Sequence, residues 1–385
     1  MSTPIKDATA IVGVGQTAFA KHLPQSEKQL ALEAVAMAIA DAGLDPGEVD
    51  GLTCYTLETT DEVEVARNVG LGDITWFSQV GYGGGAGCAT VGQAATAVAT
   101  GQASVAVAWR SRKRGAAKAR PWSQVRNRVP GSLQWTRPFG LLRPVDEIAM
   151  LARRYFHEYG GTREQLGQVA VSVRKHANRN PGAMMHEKPL TLEQYMEARW
   201  ISEPLCLFDN CLESDGAGAV VITSAERARD LAETPVYIHS FAQSIPRQHQ
   251  TMTNYFTDDP LRGPAWACAD LLWRMADVTP QDVDVAQLYD AFSPLVPLSL
   301  EGYGFCERGE GLDFCADGGI EFDGGRLPVN TSGAGMSEAY VHGFNLIVEG
   351  VNQLRGQSHS QVEGAEVSLV TSGEGVPTSA LLLRR

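Results

Sequence analysis

An α/β protein built from two similar halves is predicted by this 385-residue sequence, and three observations carry the prediction. The apolar run "TAIVGVG" (9–15) is followed by "EKQLALEAVAMAIADAGLDPGEVDGLTCY" (27–55), where helix-spaced apolar residues stop at Gly43 before a second apolar run. That is a strand, an amphipathic helix and a buried strand. The order of helix, turn and strand returns in "AWACADLLWRMADVTPQDVDVAQLYDAF" (265–292), with Pro46–Asp50 and Pro280–Asp284 marking the same place 234 residues apart. Finally, "GCATVGQAATAVATGQASVAVAW" reads as a small-residue helix, a Gly101-Gln102 turn and a strand. "SEAYVHGFNLIVEGVNQLRGQ", with "AEVSLVTSGEG" after it, repeats that order around Gly356-Gln357. Two copies of a β-α-β arrangement imply two halves of one design.

The elements between fit this frame. "GVGQTA" at 13–18 formally matches a dinucleotide fingerprint, but that motif should open directly into a helix, and "AFAKHLPQSEK" with its proline intervenes. A loop is expected there. Residues 113–205 have no counterpart in the second half and carry Pro-, Trp- and Arg-rich loops beside helices such as "VDEIAMLARRYFHEYG". They are read as an inserted loop domain covering a ligand. The divisions are then 1–112 with about 206–228 for the N-terminal half, 113–205 for the insertion, and 229–385 for the C-terminal half.

Composition narrows the function. The chain is 44% hydrophobic and 20% charged, as globular proteins are. No window of about 18 apolar residues exists for a membrane span, and the N-terminus has no basic segment leading into an apolar one, so no secretory signal is expected. Seven scattered cysteines without a C-x-x-C pair fit a reduced cytoplasm, with neither a disulfide framework nor a zinc site. The net charge of −13 argues against general nucleic-acid binding. Against it runs "RSRKRGAAKARPWSQVRNR" (110–128), with eight Lys/Arg and no acid. It is a solvated loop, or a patch for a phosphate-bearing ligand or an acidic partner.

"DNCLESDGAGAVVITS" (209–224), "YDAFSPLVPLSLEGYGFC" (289–306), "LPVNTSGAGMSEAY" (327–340) and "TSGEG" (371–375) occur in that order. Together with the duplicated halves they resemble the thiolase superfamily, in particular its lipid-transfer-protein or sterol-carrier-protein branch. The resemblance spans essentially the whole chain. It implies a five-layered α-β-α-β-α fold with two pseudo-symmetric halves, an inserted loop domain and a homodimer core.

The family's catalytic positions are all changed. Counting back from the Gly101 turn puts Gly84 where the nucleophilic cysteine begins helix three of the half, and Cys88 falls one turn later. There the helix dipole would stabilise a thiolate less, so a packing role is expected for Cys88. The family's histidine in its His-(Asp/Glu)-Ala-Phe motif is Tyr289, the histidine of its Gly-His-Pro motif is Tyr340, and the second cysteine is Thr371. His342 lies two residues beyond Tyr340, on a different side of any helix there, and is not read as a displaced base. Acyl transfer through an enzyme thioester thus lacks its nucleophile and its base.

Two tyrosines can exchange protons with an alcohol, and a β-hydroxyacyl-CoA carries one. Deprotonating it lets the Cα–Cβ bond break into a carbonyl and an acyl-CoA enolate, which backbone donors of an oxyanion hole would stabilise. The resemblance extends to the steroid side-chain-cleaving aldolases. It implies a steroid with a 17-hydroxylated three-carbon CoA side chain as substrate, and a 17-keto steroid and propionyl-CoA as products. It further implies a DUF35-type zinc-ribbon/OB-fold partner, a heterotetramer, no cofactor beyond the substrate's own CoA, and no metal in this chain. Tyr340 is the favoured base with Tyr289 as its companion. Gly84, Gly373, Ser332 and Asp290 are the oxyanion and positioning candidates, and Arg112 and Arg114 the CoA-phosphate candidates. Asp290 either tunes Tyr289 or caps a turn, Asp215 secures turns under the site, and Tyr303 and Tyr255 are packing residues. Two rivals stay open: an acyltransferase using Cys88, and a non-catalytic lipid carrier or scaffold subunit.

Overall fold

The computed structural model describes residues 5–114, 134–231, 234–247, 252, 255, 257–374 and 377–385. The first half runs β1 (Thr9–Gln16), α1 (Glu27–Asp41), β2 (Gly51–Tyr55), α2 (Glu62–Val69), β3 (Trp76–Val80), α3 (Ala86–Ala99) and β4 (Val105–Arg112). Then come α4 (Pro144–Tyr159), α5 (Arg163–Arg179), α6 (Leu192–Glu197), β5 (Trp200–Ser202) and β6 (Leu205–Cys206). The chain returns through β7 (Gly216–Ser224) and α7 (Ala225–Ala228). The second half comprises β8 (Val236–Ser244), α8 (Pro264–Met275), β9 (Val285–Gln287), α9 (Leu295–Gly302), α10 (Gly311–Cys315), α11 (Phe344–Arg355), β10 (Val367–Ser372) and β11 (Thr378–Arg384).

The main sheet has the order β3-β2-β4-β7-β1-β8-β11-β10-β9. Divided between β1 and β8, it reads β3-β2-β4-β7-β1 on one side and β9-β10-β11-β8 on the other, which is the same order once the edge strand β3 is set apart. From β2 and from β9 the pairings also match. In each half the first pair is parallel and the other two are antiparallel. Strand periodicity sets the layers. Ala10 and Val12 of β1 pack with α1, whereas Ile11 between them joins the cluster around α3. Helix α3 touches strands of both halves, as does α11, while α1 and α8 cover the outer faces. Five layers result, α-β-α-β-α. The central α3 is apolar on nearly its whole circumference and made mostly of Ala, Gly, Thr and Val, as a helix enclosed between two sheets must be.

The repeated Pro-x-x-Val-Asp motif has a mechanical reason. Asp50 accepts the amides of Ser104 (2.8 Å) and Val105 (2.9 Å), and Asp284 those of Glu366 (2.8 Å) and Val367 (2.9 Å). In each half the carboxylate clamps the start of the next parallel strand. The "GVG" glycines also serve packing. A Cβ on Gly13 or Gly15 would lie 2.1 Å from the carbonyl oxygen of Ala38 or Ala34, so glycine lets α1 approach β1. No helix opens behind them, because α1 begins only at Glu27.

Strand β7 lies between β4 and β1, inside the first half's sheet. The described part of the insertion leans on the second half: the amides of Met184 and Met185 donate to the carbonyls of Glu338 and Ser337. The basic run lies outside the described residues beyond Arg114. Among the described residues no helix is long and apolar enough to cross a membrane.

Candidate active site

Tyr289 leaves the end of β9 and Tyr340 precedes α11, and several bonds bring the two segments together. The Leu288 amide donates to Asn330 Oδ1 (2.7 Å), and the Tyr289 amide to Thr371 Oγ1 (3.0 Å). Thr371 therefore holds the tyrosine's backbone. Asp290 reaches across to the wide turn Ala334–Glu338, accepting from the amides of Gly335 (2.7 Å) and Met336 (3.1 Å). Ser214 Oγ accepts from the Tyr340 amide (2.7 Å). The consequence is a hydrogen bond between the hydroxyls of Tyr289 and Tyr340, with ring centroids 6.1 Å apart. Both rings are buried, at 4% and 9% exposure.

Gly84 explains how Tyr289 fits. A Cβ built on Gly84 would stand 1.8 Å from the Tyr289 hydroxyl oxygen and 2.4 Å from Cζ. The phenol thus occupies the space that any side chain at residue 84 would need. A side chain at 84 and the phenol of Tyr289 therefore exclude one another. Cys88 lies within α3, with its thiol against the Val370 carbonyl (3.4 Å) and Ser372 Oγ (3.2 Å). Burial pushes this thiol up to about 12, against some relief from the Ser372 bond, so it is not a thiolate near neutral pH.

Electrostatics distinguish the tyrosines. Burial raises both phenols well above their ordinary range, and for Tyr289 the neighbouring Tyr340 adds to the effect. For Tyr340 the rise from burial is opposed by the Arg114 guanidinium, whose Cζ lies 5.4 Å from the ring centroid, by the bond with Tyr289 and by Arg112. Tyr340 is the better placed to carry negative charge. Arg110, Arg112 and Arg114 alternate from β4 onward and so project to one side of the strand direction. Arg110 is fully buried and pairs with Glu58 at 3.2 Å. Arg112 is partly buried; burial, then Arg114 and Arg110, lower it to about 9.

Other candidates are placed as follows. Ser332 donates to Glu338 Oε2 (2.7 Å), so its proton is committed to a buried network that also includes Asn345 and Asn180. The Asp290 carboxylate is likewise spent on the turn amides, and burial raises it to about 7. Gly373 ends β10 in the left-handed region (φ 71°). Asp215 receives the amides of Leu23 (3.0 Å) and Arg114 (2.5 Å), which secures the turns beneath the site. Arg114 is buried against Tyr340 and His342, inside the tyrosine site. Tyr303 packs in the core between α8 and α9, and Tyr255 donates to the Glu147 carbonyl.

The Ser337-Glu338 stretch, which the sequence presents as a capped helix start, is instead the wide turn. Ser337 Oγ receives Arg174 Nε (2.9 Å), Ala339 is extended, and α11 begins only at Phe344. With no helix through 340–342, the reason for setting His342 aside disappears. Its backbone turns left-handed (φ 53°), and its ring packs edge-on to Tyr340 with centroids 5.2 Å apart. Arg110, Glu58 and Tyr55 also went unnoticed in the sequence. The period-2 spacing of arginines after an apolar strand was the available signal for the first of them.

Comparison with known proteins agrees with this fold. The thiolase N-terminal domain model matches residues 9–202, and the thiolase C-terminal domain-like model matches 247–383. The chain is 48% identical to the 17-hydroxy-3-oxo-4-pregnene-20-carboxyl-CoA lyase of Mycobacterium tuberculosis (strain ATCC 25618 / H37Rv), over 97% of this chain and 98% of that one. It is also 48% identical to a steroid side-chain-cleaving aldolase of Thermomonospora curvata, over 98% and 97% of the two chains. A solved Ltp2-ChsH2(DUF35) aldolase superposes with a TM-score of 0.93 at 48% identity, covering 99% of each chain. With both domain models matched, a five-layered fold and relatives of this identity along its full length, the chain belongs to the thiolase family.

Proposed function

We propose that this chain is an aldolase that breaks the Cα–Cβ bond of a β-hydroxyacyl-CoA by a retro-aldol reaction. The observation that carries the reading is the pair of hydrogen-bonded phenols, Tyr289 and Tyr340, with the Tyr289 hydroxyl standing over Gly84. The net reaction moves one proton from the substrate hydroxyl to the α-carbon, while the C–C bonding electrons pass into the enolate and back to carbon. Tyr340 accepts the hydroxyl proton while passing its own to Tyr289 along their hydrogen bond, and Tyr289 gives its proton to the α-carbon. Because the pair ends each turnover with the protons it began with, neither phenol must exist as a free phenolate. That suits two phenols raised by burial.

The substrate is a steroid bearing a 17-hydroxylated three-carbon CoA side chain, and the products are a 17-keto steroid and propionyl-CoA. The identity with two proteins named as a lyase of 17-hydroxy-3-oxo-4-pregnene-20-carboxyl-CoA and a steroid side-chain-cleaving aldolase supports this choice. The partner is a DUF35-type zinc-ribbon/OB-fold protein, in keeping with the solved neighbour's composition. The assembly is a heterotetramer on a homodimer core in the cytoplasm, and the reaction uses no cofactor beyond the substrate's CoA. Arg112 supports the CoA end. The test is incubation of the full chain, alone and with the DUF35-type protein, with a β-hydroxyacyl-CoA carrying a tertiary alcohol. Release of a ketone and a shorter acyl-CoA is expected, and its absence in both arms refutes the proposal.

A further inference from the structure

The insertion grips Ser337 and Glu338 through four hydrogen bonds. The Met184 amide donates to the Glu338 carbonyl (3.0 Å), and the Met185 amide to that of Ser337 (3.2 Å). Arg174 Nε donates to Ser337 Oγ (2.9 Å), and Asn180 Nδ2 to Glu338 Oε1 (3.1 Å). Only Ala339, extended at φ −168° and ψ 156°, separates this grip from Tyr340. The Glu338 side chain draws the other parts of the molecule to the same point. Ser332 Oγ (2.7 Å) and Asn345 Nδ2 (2.8 Å) of the second half donate to Oε2, while Gln16 Nε2 at the end of β1 reaches Oε1 at 3.5 Å. The carboxyl group is 3% exposed, and each of these partners is uncharged. Burying it so is unfavourable, and an apolar side chain of its size would fill the space with less penalty. What a carboxyl group adds is direction, because its oxygens accept along fixed lone pairs. Asn180 is fixed in turn. Its Nδ2 also donates to the Ser332 carbonyl (3.1 Å), and its Oδ1 accepts the Gly182 amide (2.9 Å).

We propose that Glu338 is a positioning residue through which the insertion sets the place of Tyr340 beside Tyr289. The proposal rests on the retro-aldol reading. Glu338 moves no proton of the reaction. It fixes the backbone from which the Tyr340 ring projects, and so preserves the bond between the two phenol hydroxyls. The insertion and the base are thereby one mechanical unit, joined by Asn180 and by the Met184 and Met185 amides. Misplacing a reacting group by about 1 Å costs about 10²-fold in rate, which is the size of effect a residue can exert without touching the substrate.

The test is a double-variant cycle in cleavage rate, run on the full chain with its DUF35-type partner and a β-hydroxyacyl-CoA carrying a tertiary alcohol. Glu338→Ala, Glu338→Gln and Asn180→Ala are each made in the wild type and in Tyr340→Phe. In the wild type, Glu338→Ala is expected to lower kcat by about 10²-fold and Asn180→Ala by about tenfold, with KM unchanged. Glu338→Gln, which keeps the shape and one acceptor oxygen, should recover most of the rate. In Tyr340→Phe the same changes should cost almost nothing further, because the hydroxyl that they position is gone. A general loss of packing would instead multiply the two losses. Thermal unfolding shows which variants are folded at the assay temperature, and Asn180→Ala, which leaves the carboxyl group in place, carries the cycle if Glu338→Ala is not. Losses that multiply in the Tyr340→Phe background overturn the inference, as does full rate in either folded alanine variant. A wild type that cleaves no β-hydroxyacyl-CoA refutes the aldolase reading instead.

Discussion

Replacing Gly84 with alanine adds one methyl group and should abolish activity through Tyr289. The new Cβ would lie 1.8 Å from the hydroxyl oxygen, 2.4 Å from Cζ and 3.0 Å from Cε2 of that ring. Carbon and oxygen rest at roughly 3.5 Å, so the end of the phenol must retreat by more than about 1.5 Å. A Cβ at Gly343 would itself lie 3.2 Å from Cδ2 and 3.6 Å from Cε2 of the same ring, so this edge of the phenol is already closely packed. A displacement of that size breaks the bond with Tyr340. Loss of a positioned proton-transfer group costs about 10²–10⁴ in turnover, equal to roughly 3–5 kcal/mol of barrier. Overpacking of the buried site should cost about 1–3 kcal/mol of stability. The assay is steady-state release of ketone, with thermal unfolding alongside. Because both act on one hydroxyl, Gly84→Ala combined with Tyr289→Phe should be hardly slower than the worse single variant. A Gly84→Ala enzyme with wild-type turnover refutes the reasoning, as does full additivity of the two changes.

Three further outcomes are expected. Tyr289→Phe and Tyr340→Phe, which each remove one oxygen and keep the ring, should lose about 10²–10⁴ in turnover with melting temperatures near wild type; a loss of stability with full rate would mark the phenols as packing. Cys88→Ala should keep cleavage, and in the wild type this thiol, held up to about 12 by burial, should resist alkylation at pH 8 in the folded state. Stability should rise on mild acidification: Glu338 and Asp290 are both raised to about 7, chiefly by burial, from 4.5 and 3.8. The folded state then binds more protons than the unfolded state between those values, so the contribution is full below pH 4 and falls as pH climbs to 7, by at most about 1.4 kcal/mol per unit per group. Glu338→Gln should flatten that slope in denaturant titrations at pH 5, 6 and 7, and an unchanged slope would count against a buried, neutral Glu338.

The sequence by itself determined the architecture. Internal duplication is a covalent record, and the same Pro-x-x-Val-Asp turn at 46–50 and 280–284 clamps equivalent strands because an aspartate two residues after the short turn must find the same amides in both halves. Counting along the sequence also singled out Gly84, Tyr289, Tyr340 and Thr371 as the positions at which to look for the site. Only the tertiary structure decided how these residues meet. That the Tyr289 hydroxyl fills the side-chain space of residue 84 depends on two elements 205 residues apart, and no local pattern encodes their distance. The helical period applied to His342 fails, because its segment has a wide turn, an extended Ala339 and a left-handed His342 instead of a helix. The carboxylate of Asp290 and the hydroxyl of Ser332 are substrate-positioning candidates in the sequence, yet buried polar atoms must be satisfied, and both are bonded to neighbours that fix the turn. Periodicity and spacing travel along the chain, whereas the chemistry of this site arises where segments far apart in the sequence are buried against one another.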